Sequence, residues 1–291
     1  MIKHRLIKNA ATVDKFLIRY LGKQDKSLLV YPMKYGVISG GKKIRSTIIF
    51  DFGKLFGLNK NKLLNICAAV ECIHSYSLIH DDLPCMDNDS FRRGKLSAHK
   101  KFGEASAVLA GNSLLTLAFE IIADKSFNLK PNLKNEIIKT LAYTSGHTGI
   151  AGGQELDLKF ERKKKNFNQI ISMQKKKTGK LFSFCFLAVC VVANKSYNQK
   201  IFFSRLGEEI GLLFQIADDL LDIKGSKKLV GKSIKKDKKK GKSTLINLIG
   251  YDKTLIYALN LQKKILLKLK KHGKKAEDLI NTIKFILGRK F

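Results

Sequence analysis

Asp218, Asp219 and Asp222 stand in the run Phe214-Gln215-Ile216-Ala217-Asp218-Asp219-Leu220-Leu221-Asp222, a segment of helical periodicity. Asp218 and Asp222 are four residues apart, so on a helix their carboxylates share a face. Gln215, three residues before Asp218, joins that face. Like charges at this spacing repel, and apolar neighbours screen them poorly. A hard divalent cation removes that cost. Mg²⁺ commonly takes one or two carboxylates and completes its shell with phosphate oxygens and water. A single acidic cluster reads more simply as a solvated face. Here there is a second, His80-Asp81-Asp82-Leu83-Pro84-Cys85-Met86-Asp87-Asn88-Asp89, at the end of another apolar helix. Asp81 and Asp87 are six apart, about 240° around a straight helix. They converge only if the helix ends or bends near Pro84.

Basic residues occur where phosphate groups need them. Lys42 and Arg45 follow Gly40-Gly41 at a loop-to-helix junction, where backbone N–H groups favour anions. Arg92-Arg93-Gly94 follows the first acidic cluster, and guanidinium groups grip phosphate oxygens as a planar fork. His74 lies two turns before Asp81 on the same helix face. GGKK or RRG alone means a basic turn; their placement beside acidic helix ends is what points to a diphosphate held through metal.

The elements that must position these residues are helices. Apolar residues recur at 3–4 spacing over 61–83, 104–123, 133–151, 168–193, 199–223 and 253–288. Alternating strand patterns are scarce. The expected class is all-α, a single domain over residues 1–291. Pro84 and Pro131 mark breaks, Phe91 to Gly94 reads as a turn, and Gly152-Gly153 is expected to interrupt a helix. Residues 224–243 are rich in Gly and Lys and read as a mobile basic loop within the domain.

The chain has 291 residues, 44% of them hydrophobic, and a formal charge of +32, which fits a globular protein with a substantial core. Much of the charge lies in Lys runs without interleaved aromatics, so no nucleic-acid partner is expected. The five cysteines show no zinc-ligand spacing and suit a reducing compartment. The N-terminal segment is basic and amphipathic and lacks the apolar core of a secretory signal. The most apolar stretch, 181–193, is too short to cross a bilayer, so no membrane span is expected. Together these features point to the cytoplasm.

The motifs together resemble those of the trans-polyprenyl diphosphate synthases. The run from Glu71 to Asp89, followed by Arg92-Arg93-Gly94, is similar to that family's first aspartate-rich motif. Gly211 to Asp222 is similar to the second, and Gly40 to Arg45, Lys177-Thr178-Gly179 and Gly241 to Thr244 match in family order. The likeness is greatest to the bacterial farnesyl-forming subgroup. It implies a bundle of about ten or more helices around a deep central cavity. It also implies Mg²⁺-dependent head-to-tail condensation of isopentenyl diphosphate with dimethylallyl or geranyl diphosphate, giving farnesyl diphosphate and free diphosphate. Mn²⁺ is the alternative ion, and a homodimer is implied.

By the same resemblance, Lys42, Arg45, His74 and Arg93 bind isopentenyl diphosphate. Arg92, Lys177, Lys232 and Lys242 hold the allylic diphosphate. Asp81, Asp87 and Asp218 are direct metal ligands; Asp82 and Asp222 support them, and Asp219 belongs to the catalytic set. Thr178 and Gln215 face the allylic cation, and Tyr76, five residues before Asp81, floors the cavity and limits chain length. His80 is given a structural role and His99 none. Arg289 and Lys290 resemble a basic tail that closes over the second diphosphate. Ser46 stands where the family usually carries Pro, so the loop before it is expected to be less rigid. Asn88 replaces a common further Asp. The alternatives are a geranyl or geranylgeranyl diphosphate synthase, a class I terpene cyclase and, from another class, a basic nucleic-acid-binding protein.

Overall fold

The computed structural model describes residues 2–24, 27–38, 40–229 and 242–289, with only the helical backbone described at 224–229. Helices dominate, as the apolar periodicity predicts. The chain forms two compact units, Met1–Lys139 with Val191–Ala193, and Thr140–Cys190 with Asn194–Phe291.

The first unit contains α1 (Ile2–Gly22), α2 (Val30–Ile38), α3 (Ile44–Lys54), α4 (Leu64–Asp81), a small hairpin, α5 (Ala98–Phe102) and α6 (Glu104–Ala123). In the hairpin, β1 (Phe91–Arg92) pairs antiparallel with β2 (Lys95–Leu96). Helix α4 is its centre: Ile66, Cys67, Ala68, Ala69, Val70, Cys72 and Ile73 have no exposed surface. Apolar residues on all sides mark a helix surrounded by others. A 3₁₀ turn precedes it, capped by the Asn59 side chain, which accepts from Lys62 N–H. It ends at Asp81, three residues before a proline that cannot continue a helix.

Helix α6, whose bounds match the expected 104–123, packs along α4 and buries Ala107, Ala110, Leu114, Leu117, Ala118 and Ile121. Among the described residues it is also the one helix long and apolar enough to cross a bilayer. The sequence reading takes 181–193 as the most apolar stretch instead, and as too short to span.

After α7 (Pro131–Ser145) come α8 (Ile150–Phe160), α9 (Phe167–Gln174), a π-helical turn (Lys175–Gly179), α10 (Lys180–Val192) and α11 (Tyr197–Leu229). Helices α12 (Leu245–Ile249), α13 (Tyr251–Lys270) and α14 (Glu277–Gly288) complete the chain. Three expectations change. The break near 150 falls at Gly146–Gly149, and Gly152-Gly153 lie inside α8. Their role is close approach: a Cβ on Gly153 would stand 2.2 Å from Lys177 N. The stretch 168–193 is not one α-helix but is divided by the π turn. Residues 224–229, read as the start of a loop, continue α11, while 230–241 lie outside the described residues.

Candidate active site

In the first unit the acidic motif folds back on itself. Once α4 ends, Asp87 N–H donates to Asp81 O at 2.8 Å, Asn88 N–H to Leu83 O at 3.0 Å and Asp89 N–H to Asp82 O at 3.2 Å. The required bend at Pro84 is therefore present, and it brings the Asp81 and Asp87 backbones into contact. Asp82 is buried and paired with Arg92, whose Nε donates to both carboxylate oxygens at 3.0 and 3.2 Å. Burial pushes the Asp82 carboxyl up, and the Arg92 hydrogen bond opposes the shift. Tyr35 anchors the hairpin that carries the arginines by donating to Leu96 O at 2.6 Å. Arg93 donates to Gly40 O, which ties the hairpin to the Gly40–Lys43 loop.

That loop presents Lys42 to solvent and leads into buried Arg45 on α3. His74 is held well below the ordinary imidazole pKa, by burial first and then by the positive charges of Arg45, Arg93, Lys43 and Arg92. A neutral ring amid these cations adds no further repulsion. Tyr76 is buried, and its ring meets that of His80 edge-on at 5.5 Å. His80 in turn lies within 3.1 Å of Val108 O on α6, which fits its structural role.

In the second unit the π turn aims Lys177 and Thr178. Such a turn inserts a residue into the helical register and often marks functional sites. Lys177 Nζ meets Asp157 of α8 at 2.5 Å. Thr178 donates to Gln215 Oε1 at 2.8 Å, and Gln215 Nε2 donates to Asp219 Oδ1 at 2.9 Å. Gln174 Nε2 donates to Asp219 Oδ2, also at 2.9 Å. Both oxygens of Asp219 are thus taken by amides. Its carboxyl is pushed up to about 7, mainly by burial and against the Gln215 hydrogen bond, with Asp222 and Asp218 adding to the rise. These residues line a cavity of about 120 Å³ together with Asp157, Asp222 and Lys242.

Gln215 donates to Asp219, its i+4 neighbour, from the helix face it shares with Asp218 and Asp222. Both i+3 and i+4 neighbours lie within its reach, and the buried carboxylate needs the amide. Asp218 instead meets Arg289 at 2.8 Å, and the Arg289 guanidinium lies 4.4 Å over the Phe214 ring. The Arg289 side chain is nearly buried while Asp218 keeps part of its surface open to solvent. Lys232 and Lys290 lie outside the described residues.

The sequence reading gives no role to Asp157, Gln174 or Glu71. Gln174 is three residues before Lys177, and Gly152-Gly153 signals that the helix of Asp157 lies close to another chain segment. Among the described residues, no three Asp, Glu, His or Cys side chains stand preassembled as a metal cage. Carboxylate oxygens stand at Asp81 and Asp87 in the first unit and at Asp218 and Asp222 in the second. Each pair by itself suits Mg²⁺, which binds through few carboxylates together with phosphate oxygens.

A family model described as polyprenyl synthetase matches residues 26–285. The farnesyl diphosphate synthase of Buchnera aphidicola subsp. Acyrthosiphon pisum is 41% identical over 256 residues, covering 86% of this chain and 88% of the relative. A solved FPP/GFPP synthase from Zymomonas mobilis, in its apo form, matches with a TM-score of 0.88 at 35% identity over 98% of each chain. The geranyltransferase of Helicobacter pylori, solved with magnesium and isoprenyl diphosphate, matches with a TM-score of 0.81 at 27% identity over 99% of this chain and 96% of that one. The chain belongs to the polyprenyl synthetase family.

Proposed function

We propose that this chain is a Mg²⁺-dependent prenyltransferase that condenses isopentenyl diphosphate head to tail with dimethylallyl or geranyl diphosphate to form farnesyl diphosphate. The observation that carries this reading is the pairing of each aspartate motif with its own cations. Arg45, Arg92 and Arg93 accompany Asp81–Asp87 in one unit; Lys177 and Lys242 accompany Asp219 and Asp222 in the other. A cyclase needs only one diphosphate site.

In this reading Lys42, Arg45, His74 and Arg93 bind isopentenyl diphosphate, while Arg92, Lys177 and Lys242 hold the allylic diphosphate, with Lys232 assigned there by resemblance alone. Asp81, Asp87 and Asp218 are the metal-binding carboxylates, and Asp82 and Asp222 support them. Bound magnesium supplies Lewis-acid neutralisation of the leaving diphosphate. The allylic C–O bond breaks and its electron pair leaves with the diphosphate. Lysine and arginine side chains stabilise that developing charge. The Thr178 and Gln215 oxygens face the allylic cation, and the hydrogen bond between them fixes their orientation. The double bond of isopentenyl diphosphate attacks, a new carbon–carbon bond forms, and the departing diphosphate takes the proton that is lost. No side chain is assigned as general base.

Tyr76 sets the fifteen-carbon limit in this proposal. The chain acts as one polyprenyl synthase domain, as a cytoplasmic homodimer without a nucleic-acid partner, and Mn²⁺, which also suits carboxylate and water ligands, substitutes for Mg²⁺. The test is incubation with Mg²⁺, geranyl diphosphate and isopentenyl diphosphate, followed by product separation. A fifteen-carbon diphosphate and free diphosphate are expected. No elongated chain, or a hydrocarbon formed without isopentenyl diphosphate, refutes the reading.

A further inference from the structure

Ser46 is the third residue of α3 and is completely buried. Its backbone N–H is one of the first four in the helix, which have no partner within it. Glu71 Oε1 accepts from that N–H at 3.4 Å and from the Ser46 hydroxyl at 2.7 Å. Glu71 lies on α4, three residues before His74 and therefore on the same face, and is 4% exposed. A buried carboxylate is unfavourable unless it is paired, so its presence needs a reason.

The surrounding geometry supplies one. Lys43, just before α3, has a left-handed backbone with φ of 39°. Its ammonium is fixed by Val37 O at 2.8 Å and Asp14 at 3.1 Å. Arg45 sits between this anchored lysine and Ser46. Arg93, which feels the Glu71 charge, bonds to the same loop at Gly40. The first turn of α3 is thus held at one end by Lys43 and at the other by Glu71. A proline at position 46 has neither donor. Where the sequence suggests a looser loop for want of proline, the Ser46–Glu71 hydrogen bonds restrain it.

We propose that Glu71 and Ser46 are positioning residues, which clamp the first turn of α3 so that Arg45 and the Gly40–Lys43 loop receive the diphosphate of isopentenyl diphosphate. The proposal rests on the prenyl-transfer reading above. Neither residue touches substrate; both act through Arg45 and the loop.

The experiment is steady-state kinetics on Ser46→Ala, Glu71→Gln and the double variant, varying each substrate in turn. The KM for isopentenyl diphosphate should rise about tenfold in each single variant, as for loss of a charge-assisted hydrogen bond. The allylic KM and kcat at saturation should stay unchanged. The double variant should be no worse than the more impaired single, because both changes remove one interaction. An unchanged KM, an equal rise in both KM values, or additive losses overturn the clamp. If Glu71→Gln does not fold, Ser46→Ala decides alone, since it keeps the carboxylate and the backbone N–H. A wild-type chain without prenyl transfer overturns the function and the clamp with it. An active wild type with an unaffected Ser46→Ala overturns only the clamp.

Discussion

Replacing Gly153 by Ala sets helix preference against the geometry of the site. Gly153 lies inside α8, where Ala is favoured over Gly by about 0.8–1 kcal/mol. Against this, a Cβ there would stand 2.2 Å from Lys177 N, 2.4 Å from Lys177 Cα and 2.7 Å from Lys176 C. All three are backbone atoms, so no rotamer change relieves the contact. Either α8 or the π turn must move by roughly 1 Å to restore ordinary van der Waals separation. Overpacking of this kind costs about 1–3 kcal/mol, which matches or exceeds the gain in helix preference. The net loss of stability is at most about 2 kcal/mol, a fall in Tm of roughly 4–8 °C at the upper bound. Activity should suffer more, because the displaced turn carries Lys177 and Thr178. A misplacement of about 1 Å costs on the order of a hundredfold in rate. Thermal unfolding and kcat/KM for the allylic substrate, measured on the same preparation, give both quantities. Gly22→Ala is the control, since nothing lies within 4 Å of its added Cβ, and its Tm should hold or rise with activity unchanged. A Gly153→Ala chain with wild-type Tm and wild-type turnover would refute the argument that this close approach holds the π turn in place.

Asp81→Ala and Asp218→Ala should each lower diphosphate release at least a hundredfold, on the order of the loss when transition-state charge stabilisation is removed; unchanged release excludes them as metal-binding groups. Tyr76→Ala should shift products beyond fifteen carbons, and an unaltered product profile removes Tyr76 as the floor. His74 should remain neutral when its ring is followed by NMR from pH 8 to 6, and a midpoint near 6.5 would contradict the depressed pKa. The sign follows from linkage: the unfolded chain takes up a proton there more readily. His74 therefore makes stability fall as pH drops below about 6.5.

What the sequence made legible was whatever depends on local periodicity or backbone chemistry. Helix α6 shows its bounds because a long apolar run needs no partner to be recognised. The bend after Asp81 was deducible because six residues on a helix cannot align two carboxylates and Pro84 cannot extend one. What stayed hidden depends on partners distant in sequence. Gly152-Gly153 has the same appearance whether it breaks a helix or admits a neighbour, and only the approach of Lys177 decides. The π turn at Lys175–Gly179 has no composition signal, since three lysines suit any solvated helix. Asp157 became notable only when Lys177 was found beside it, and Glu71 only through Ser46.

The aspartates of α11 show why type and spacing alone do not distribute roles. By spacing, Asp218 and Asp222 are equivalent and Asp219 is the odd one. In the structure all three differ. Asp219 has both oxygens bound by the amides of Gln174 and Gln215, and hydrogen bonds to a charged group, each worth about 1.5–3 kcal/mol, hold the three side chains together. Its raised pKa is a consequence of its burial. Asp222 is exposed and lines the cavity beside Lys177 and Lys242. Asp218 is half-buried and carries Arg289 as its ion-pair partner. Asp219 therefore orients Gln215 and, through it, Thr178, while the proposed metal contact stays with Asp218, supported by Asp222. Asp219→Asn separates the two roles. It should lower turnover by misorienting Gln215 while leaving the Mg²⁺ concentration for half-maximal activity unchanged; a large rise in that concentration would return Asp219 to the metal.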